Sequence, residues 1–544
     1  LARGLIGTNN VDHCARLCHS SSVAGLATTL GSGAMTNSIA DIQDSDVMVV
    51  IGSNTTEAHP VIALQMKAAV RARQTKLILI DPRRIELAQF AHLHLRHIPG
   101  SDVALINAMA YVILAEGLEN QAFVAARTEG FEVFRQSVQE WSPDRAAAVC
   151  GVPPELIVEA ARLYAGAKAA SIFWAMGITQ HTTGTDNVKA LSNLALLCGH
   201  VGRPGTGLNP LRGQNNVQGA CDMGGLPNVF PGYQPVTSEE ARRKFADGWG
   251  VSYDRLSSTV GLMVTQMMDA VLDGRVRAIY ILGENPMLSD PNLHHVEQAL
   301  RQVEFLAVQD IFLNETAQMA DLVLPGVSFA EKEGTFTNTE RRVQRVRKAL
   351  EPPGEARPDW AVLSDLAGRM GAPWGYRSAS EVFDEMARLT PSYAGMSHAR
   401  LEAGGLQWPC PSPDHPGTQI LHAQKFSRGL GLFSPVAYRP PAEEPDEAYP
   451  LILSTGRVLF HWHGGTLTRR SPGLDSLAPQ AEVEIHPQDA SRMGIADGQT
   501  VRVRSRRGQL VAAARITQRS PVGTVFMTFH YAEAAANLLT SSAV

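Results

Sequence analysis

The sequence predicts an α/β protein in which two doubly wound domains precede a C-terminal β-barrel. The first observation is a strand–helix–strand pattern at 47–80, where two Val- and Ile-rich runs flank a stretch of helical apolar spacing. The second is the return of such runs at 170–174 and 276–282, which continues the alternation of strands and helices. The third is a series of short alternating strands beyond residue 450.

Composition limits the function classes. The chain has 544 residues, of which 44% are hydrophobic and 19% charged, as is typical of a soluble globular protein of several domains. A net charge of -5 argues against nucleic acid or an anionic membrane as the main partner. The longest apolar stretch, 103–115, is too short to span a bilayer, so no membrane segment is expected. Six cysteines indicate a reducing compartment and hence a cytoplasmic location, and the absence of an initiator Met predicts a fragment.

Two cysteines and two histidines lie together as His13, Cys14, Cys18 and His19. Thiolate and imidazole are the ligands that transition metals prefer, but no second cysteine pair follows at the spacing of a zinc site, and a four-cysteine iron–sulfur site needs closer spacing. Cys18 is alternatively a nucleophile activated by His19. In the third interpretation both cysteines are small buried hydrophobic residues.

Polar residues follow the first two predicted strands. The strand at 47–52 turns at 52–54, and the strand at 76–80 ends in Asp81-Pro82-Arg83. In open α/β sheets ligands bind outside the carboxyl ends of the strands, so Asp81 is a candidate for a ribose hydroxyl and Arg83 for a phosphate. The first turn lacks G-x-G-x-x-G, which disfavours an ordinary nicotinamide site, and Asp-Pro alone is often only a turn.

Further elements lead to an unusual loop. The pattern predicts helices at 101–116, 120–127, 153–165 and 186–197. The loop at 202–225 is rich in glycine and amide residues, which let a polar ligand approach the backbone, and Arg212 is a natural group to bind a carboxylate. An ordinary surface loop is the alternative.

The remaining segments set the predicted domain boundaries. Strands at 276–282, 305–310 and 320–325 form the second α/β part, and 442–447 is typical of an exposed linker. The expected barrel strands are 450–454, 481–485, 500–505, 509–515 and 524–529. We expect an α/β domain at 1–214, a second at 215–440 and the barrel domain at 441–544.

Two motifs carry a resemblance to a known family. Cys18-His19 within 8–26, together with Arg212 and the run that follows to 224, is similar to the catalytic subunit of molybdenum or tungsten formate dehydrogenases, and 81–83, 283–286 and 309–312 extend the similarity. These enzymes belong to the molybdopterin oxidoreductase family, which includes dimethyl sulfoxide reductase. The resemblance implies that fold and a two-electron oxidation of formate to carbon dioxide.

The resemblance also implies roles for residues. Cys18 matches the protein ligand to the metal, His19 the active-site histidine that assists with protons and charge, and Arg212 the arginine that orients formate. Gln214 matches a position close to the pterin and the active site. The metal would be molybdenum or tungsten with two molybdopterin guanine dinucleotides, so most of its coordination shell would come from the cofactor.

Two nucleotide sites are implied by the same resemblance. The residues implied for the first are Gly52, Asn54, Asp81, Arg83, Gly100 and Asp102. Those implied for the second are Met176, Gln180, Gly283, Asn285 and Asp359. Contacts from the C-terminal part are expected at Arg457, His463 and Asn537.

The chain departs from the family pattern at its start. The N-terminal segment that usually binds a 4Fe-4S cluster has no counterpart here, so that cluster is expected only in a missing segment. Partner subunits with iron–sulfur or flavin/NAD sites are expected to carry the electrons, and 456–470 is similar to the soluble NAD-linked enzymes. The rival interpretations are a non-catalytic scaffold related to the large subunit of complex I and a nitrate reductase of the same fold.

Overall fold

Two units make up the fold, and the chain crosses between them. The computed structural model describes residues 1–543. The cysteine unit contains Leu17–Gly213 and the chain from Ile420, and the middle unit contains Leu1–Arg16 and Gln214–Gln419.

The strands are numbered in chain order. They are β1 Val47–Ile51, β2 Lys76–Ile80, β3 Leu93–Leu95, β4 Thr128–Glu129, β5 Ala170–Trp174, β6 Gly207–Pro210, β7 Val229–Phe230, β8 Gln234–Pro235, β9 Ala278–Leu282, β10 Phe305–Asp310, β11 Leu322–Pro325, β12 Gly334–Thr337, β13 Arg342–Val346, β14 Leu406–Gln407, β15 Gly431–Leu432, β16 Ile452–Gly456, β17 Glu482–Ile485, β18 Thr500–Arg504, β19 Gln509–Ile516 and β20 Thr524–Thr528.

The α-helices are numbered in the same way. They are α1 Ala15–Cys18, α2 Ser20–Leu30, α3 Thr55–Ala58, α4 Pro60–Arg73, α5 Asp102–Ala115, α6 Gln121–Arg127, α7 Phe131–Val138, α8 Pro143–Cys150, α9 Pro154–Ala165, α10 Met176–Thr179, α11 Gly184–Cys198, α12 Val217–Asp222, α13 Glu239–Trp249, α14 Val264–Leu272, α15 Pro286–Ser289, α16 Leu293–Gln302, α17 Asp359–Arg369, α18 Ala379–Leu389, α19 His398–Leu401, α20 Pro472–Leu477 and α21 Pro487–Met493. A π-helix spans Ala2–Ile6, and 3₁₀ turns lie at Ile39–Asp44, Glu86–Phe90, Pro231–Tyr233, Tyr253–Arg255, Ala317–Met319, Pro391–Tyr393, Thr468–Arg470, Ala532–Ala534 and Ala536–Leu538.

A parallel sheet of order β3-β2-β1-β5-β6 forms the centre of the cysteine unit. Strands β1 and β5 are buried along their whole length, because their apolar runs are covered on both faces. Helices α2, α5 and α11 contribute to the main hydrophobic core on this sheet. The strand order reverses at β1, as in doubly wound folds, so a crevice is expected at the carboxyl ends of β1 and β5.

The C-terminal part of the cysteine unit contains a second sheet. Its order is β16-β20-β17-β19-β18, with both parallel and antiparallel pairs. The predicted strands are therefore present, but in the described part of the chain they form an open mixed sheet in which β16 and β18 are the edges. Apolar side chains of β17, β19 and β20 fill its core.

The middle unit contains a smaller parallel sheet of order β11-β10-β9. Helices α14 and α16 pack against it through residues such as Met268, Val296 and Leu300. A separate antiparallel sheet of order β12-β13-β14 lies in the same unit.

The two units do not follow the three sequential domains that we expected. Residues 1–16 belong to the middle unit, where Arg3 donates to the carbonyl of Leu226 at 2.6 Å and Asn9 to that of Ser257 at 2.9 Å. Residues 420–440 belong to the cysteine unit, because β15 extends β4 and Phe433 stacks on Phe134 at 4.9 Å. Such long-range contacts leave no local signal in the sequence.

The loop predicted at 202–225 is partly regular. Residues 207–210 form β6 at the edge of the sheet, and 217–222 form α12. Proline lacks an N–H and is tolerated at a sheet edge, which explains how Gly-Leu-Asn-Pro forms a strand. Among the described residues, no helix has the length and apolar character needed to cross a membrane.

Candidate active site

A cavity of about 280 Å³ lies in the cysteine unit where the strand order reverses. Its walls come from the turns after β1, β2 and β5 and from β16 and β20. Gly52 and Gly177 make this arrangement possible: Gly52 has φ +57°, and a Cβ on it would lie 2.6 Å from the carbonyl carbon of Gly177. The turns after β1 and β5 therefore approach each other as closely as backbone allows.

Most residues implied for the cofactor line this one cavity. They are Gly52, Asn54, Asp81, Arg83, Gly100, Asp102, Met176, Gln180 and Arg457. Met176 and Gln180 lie here with the residues implied for the first nucleotide, whereas Gly283, Asn285 and Asp359 belong to the middle unit.

Asp81 and Arg83 already have protein partners. The Asp81 carboxylate accepts from the N–H of Arg83 at 2.9 Å, and burial raises the pKa of this carboxyl group. The Arg83 guanidinium lies 2.8 Å from the Glu484 carboxylate and stacks over the Phe526 ring. Arg83 thus joins the parallel sheet to the C-terminal sheet, and only part of its donor set remains for a phosphate.

Other polar atoms at the cavity have unmet hydrogen-bonding capacity. Asn54 Nδ2 and Asp102 Oδ2 are buried without a hydrogen-bond partner among the described residues. Asp102 also pairs with His97 at 3.0 Å through its other oxygen. A buried amide donor and a buried carboxylate acceptor suit the polar edges of a nucleotide, so these residues fit the predicted cofactor.

Cys18 lies at the end of α1 and is 5% exposed. Thr179 donates to the carbonyl of Cys18, and Gln180 donates to that of Leu17 at 2.6 Å, so the turn after β5 fixes this backbone. Burial raises the pKa of the Cys18 thiol, while the charges of Arg457 and Arg212 and a hydrogen bond from the Gly213 N–H act in the opposite direction. These three groups favour a thiolate, the form that binds a metal.

His19 is held at both ring nitrogens. Its Nδ1 lies 3.0 Å from the Ser22 hydroxyl, which also accepts from the Trp174 indole, and its Nε2 lies 3.0 Å from the carbonyl of Leu211. A carbonyl only accepts, so Nε2 carries the proton. Burial and the charge of Arg212 lower the pKa of His19 to about 3. To transfer a proton, His19 must first break one of these hydrogen bonds.

Arg212 follows β6 and is 3% exposed. Its guanidinium lies 3.4 Å from the carbonyl of Gly33. Arg457 lies nearby, since a Cβ on Gly213 would be 3.4 Å from its guanidinium. The buried cation of Arg212 and the half-buried one of Arg457 act on the Cys18 thiol and form a site for an anion.

Sequence reasoning missed His59, whose Nε2 lies 2.8 Å from the carbonyl of Arg212. The His59-Pro60 pair lies between two helical stretches, and a residue before proline rarely stays helical. The sequence could therefore have placed His59 in a turn between the two helices. Ser22, three positions from His19, was also missed as its partner, and Trp174 was missed as the donor to Ser22, because that contact spans 152 positions of sequence.

His463 and Asn537 belong to the cysteine unit but are not among the residues that line the cavity. His463 has φ +47° and packs against Phe529, and burial and Arg457 lower its pKa to about 3. Asn537 is 9% exposed and accepts from the Thr540 hydroxyl.

In the middle unit, two of the implied residues, Gly283 and Asp359, each contact Gln309 of β10. The N–H of Gly283 donates to the carbonyl of Gln309 at 2.8 Å, and the Gln309 amide donates to Asp359 at 2.8 Å. Lys332 pairs with Asp359 at 2.7 Å. Asn285 instead accepts from the Thr316 hydroxyl at 2.7 Å and so supports the local fold.

Other predicted groups also lie in the middle unit. Gln214 has a buried Oε1 without a hydrogen-bond partner among the described residues. Ligand atoms of His13 and Cys14 lie within 4.8 Å of Glu284, and the Cys14 N–H donates to this carboxylate at 3.0 Å. Cys18 and His19 are not part of that group, so the structure does not gather the four-residue cluster of the first metal interpretation.

A buried thiol beside two arginines and a cavity at a strand-order reversal define a site for an anionic, nucleotide-like cofactor. The family model described as "Molybdopterin oxidoreductase" matches residues 1–369, and the one described as "Molydopterin dinucleotide binding domain" matches 451–544. The chain belongs to the molybdopterin oxidoreductase family. The predicted family, fold class and pterin cofactor are thereby confirmed.

Named relatives lie within this family. The chain is 51% identical to the F420-dependent formate dehydrogenase 1 subunit alpha of Methanococcus maripaludis over all of this chain and 80% of that protein. It is 41% identical to formate dehydrogenase H of Escherichia coli over 99% of this chain and 76% of that protein. Acetylene hydratase from Pelobacter acetylenicus has the same fold, with a TM-score of 0.75 over 99% of this chain and 79% of that one at 23% identity.

Proposed function

We propose that this chain is the catalytic subunit of a formate dehydrogenase that oxidises formate to carbon dioxide at a molybdenum or tungsten bis-pterin centre. The observation that carries the proposal is the placement of Arg212 next to Gly213, whose N–H donates to the buried Cys18 thiol. A metal ligand and a carboxylate-binding group are thus joined by one peptide unit. The names of relatives at 51% and 41% identity support the same activity.

Contacts to the cofactor are proposed in each unit by itself. Cys18 would supply the sulfur ligand to the metal. In the cysteine unit, Gly52 and Gly100 line the cavity, and Asn54 and Asp102 offer a donor and an acceptor for a guanine nucleotide. In the middle unit, Gly283, Asn285, Asp359 and Gln214 remain the proposed contacts. His463 and Asn537 remain proposed contacts from the C-terminal sheet.

The reaction converts formate into carbon dioxide, one proton and two electrons. When bound, the metal centre would accept the two electrons. Arg212 is proposed to hold the formate oxygens through its forked donors, which fixes the orientation of the C–H bond. Arg212 and Cys18 are 3% and 5% exposed, so water is largely excluded and the guanidinium charge acts in a medium of low dielectric constant.

His19 is proposed to act mainly through its hydrogen bonds. By donating to the carbonyl of Leu211 it holds the residue before Arg212. To accept or release a proton, His19 would have to break its hydrogen bond with Ser22 or with the carbonyl of Leu211. Arg212 and Arg457 are therefore proposed to compensate the negative charge.

Electron-transfer subunits are proposed as partners, and the cytoplasm as the location. The M. maripaludis relative is named as a subunit of an F420-dependent enzyme, which supports a multisubunit assembly. The name of that relative contains F420, whereas the similarity at 456–470 indicates NAD. The electron acceptor of this chain stays a prediction.

Formate turnover by the full-length natural protein tests the proposal. Metal and pterin content are measured first, and formate oxidation is then followed with an artificial electron acceptor. We expect turnover in the wild type and its collapse in Arg212→Ala and Cys18→Ala. Arg203→Ala is the matched control, because Arg203 lies in the same predicted loop, 202–225, but donates to the carbonyl of Lys168. A pterin-loaded protein that ignores formate would refute the proposal in favour of another substrate, and one without pterin would favour a scaffold.

A further inference from the structure

His59 lies at a fixed point between two helices. Its N–H donates to the carbonyl of Thr55 at 2.9 Å, and its carbonyl accepts from Ala63 at 3.0 Å, so it ends α3 and begins α4. Pro60 restricts its backbone further, because the proline ring excludes helical geometry at the preceding residue. The imidazole therefore extends from a rigid backbone.

The imidazole reaches the main chain of Arg212. His59 Nε2 lies 2.8 Å from the Arg212 carbonyl, and since a carbonyl only accepts, Nε2 carries the proton and donates. Burial and the positive charge of Arg457 lower the pKa of His59 to about 4, although the hydrogen bond to Arg212 acts against them. The ring is neutral at neutral pH and keeps this donor.

Residues 211–213, which we call the arginine loop, make hydrogen bonds through each of their peptide groups. The N–H of Leu211 donates to the carbonyl of Trp174 at 2.8 Å, and His19 donates to the carbonyl of Leu211 at 3.0 Å. Next along the chain, His59 donates to the carbonyl of Arg212, and the N–H of Gly213 donates to Cys18.

We propose that His59 is a positioning residue for Arg212, and that His19 and His59 together clamp the two consecutive carbonyls of the arginine loop. This inference rests on the proposed oxidation of formate. Arg212 has a long side chain, so its guanidinium is placed correctly only if the backbone beneath it is fixed. Loss of the His59 hydrogen bond frees one carbonyl of the loop, and displacements of about 1 Å near reacting groups cost roughly a hundredfold in rate.

Substitutions of His59 in the holoenzyme test whether its hydrogen bond to Arg212 matters or only the volume of its side chain. Gln presents an amide N–H at a similar reach to Nε2, Asn presents one that is too short, and Leu presents none. His200→Leu is the matched control, because His200 Nε2 also lies against a buried backbone carbonyl, that of Tyr164 at 3.1 Å. Each variant is characterised by metal and pterin content, kcat and KM for formate, and the inhibition constant of azide, a small monoanion.

We expect kcat/KM for formate to fall about ten- to a hundredfold in His59→Leu and His59→Asn, with azide inhibition weakened in parallel and cofactor content unchanged. His59→Gln should stay within about threefold of the wild type, as should His200→Leu. If His59→Leu does not fold, the Gln and Asn pair carries the same comparison.

Two results would overturn the inference. One is a cofactor-loaded His59→Leu or His59→Asn whose kcat/KM and azide inhibition match the wild type. The other is a His59→Gln as impaired as His59→Asn, which would show that the donor is not what matters. A wild-type holoenzyme that ignores formate would instead refute the proposed function, and the inference with it.

Discussion

Gly52→Ala should disturb the cavity and, through the turn after β5, the backbone at Cys18. Gly52 has φ +57°, and a Cβ there would lie 2.6 Å from the carbonyl carbon of Gly177. The left-handed conformation costs roughly 1–2 kcal/mol for a residue with a Cβ. The overlap with backbone adds roughly 1–3 kcal/mol, as overpacking does elsewhere, because Gly177 can move only if the turn after β5 moves. The total is about 2–5 kcal/mol in unfolding free energy.

Gly494→Ala separates the two contributions. Gly494 ends α21 with φ +67° and has no atoms within 4 Å of an added Cβ, so it reports the backbone conformation alone. We expect Gly494→Ala to lose roughly 1–2 kcal/mol with normal cofactor content. Gly52→Ala should lose more stability and also metal and guanine nucleotide, as measured by elemental analysis and chromatography after denaturation. Equal losses of stability in both variants, with full cofactor content, would refute the close approach of the two turns.

Two further predictions concern buried carboxylates. Asp222 in the middle unit is 1% exposed; its Oδ2 accepts from Trp408 Nε1 and the Tyr393 hydroxyl, and its Oδ1 accepts from Gln218 Nε2 and the Tyr233 hydroxyl. Either orientation of the amide in Asp222→Asn places its NH₂ against an N–H donor, so the variant should lose about 2–4 kcal/mol in denaturant unfolding followed by tryptophan fluorescence. A loss below about 0.5 kcal/mol would contradict this. In the cysteine unit, burial lowers the pKa of His97, but the charge and hydrogen bond of Asp102 outweigh burial and raise it above the ordinary 6.5. The stabilisation by this pair is complete below 6.5 and is lost as pH rises through the raised pKa. The difference in Tm between wild type and His97→Gln should therefore shrink as the pH rises above 6.5, and a constant difference would contradict the shift.

Strands with a strong local signal were predicted closely. The runs at 76–80, 170–174 and 305–310 match the bounds of β2, β5 and β10, because β-branched and apolar residues between turn signals specify a buried strand without further context. The strand at 207–210 was missed, since Gly-Leu-Asn-Pro has low strand propensity and becomes a strand only by pairing with β5.

Residues of the candidate site were predictable from the sequence where a short motif contains them. The resemblance marked Cys18 and Arg212, and the structure brings them together with Arg457. It did not indicate that Arg83 pairs with Glu484, 401 positions away, or that His59 binds the Arg212 carbonyl over 153 positions. Partners at such separations depend on tertiary packing, which a single sequence does not display.

X-ray absorption at the molybdenum or tungsten edge shows whether Cys18 coordinates the metal. Spectra are recorded for the wild-type holoenzyme, Cys18→Ser and Cys14→Ser at measured metal occupancy. In Cys18→Ser we expect one sulfur scatterer to be replaced by an oxygen scatterer at shorter distance, or to be lost, whereas Cys14→Ser should match the wild type. An unchanged sulfur shell in metal-loaded Cys18→Ser would contradict coordination by Cys18.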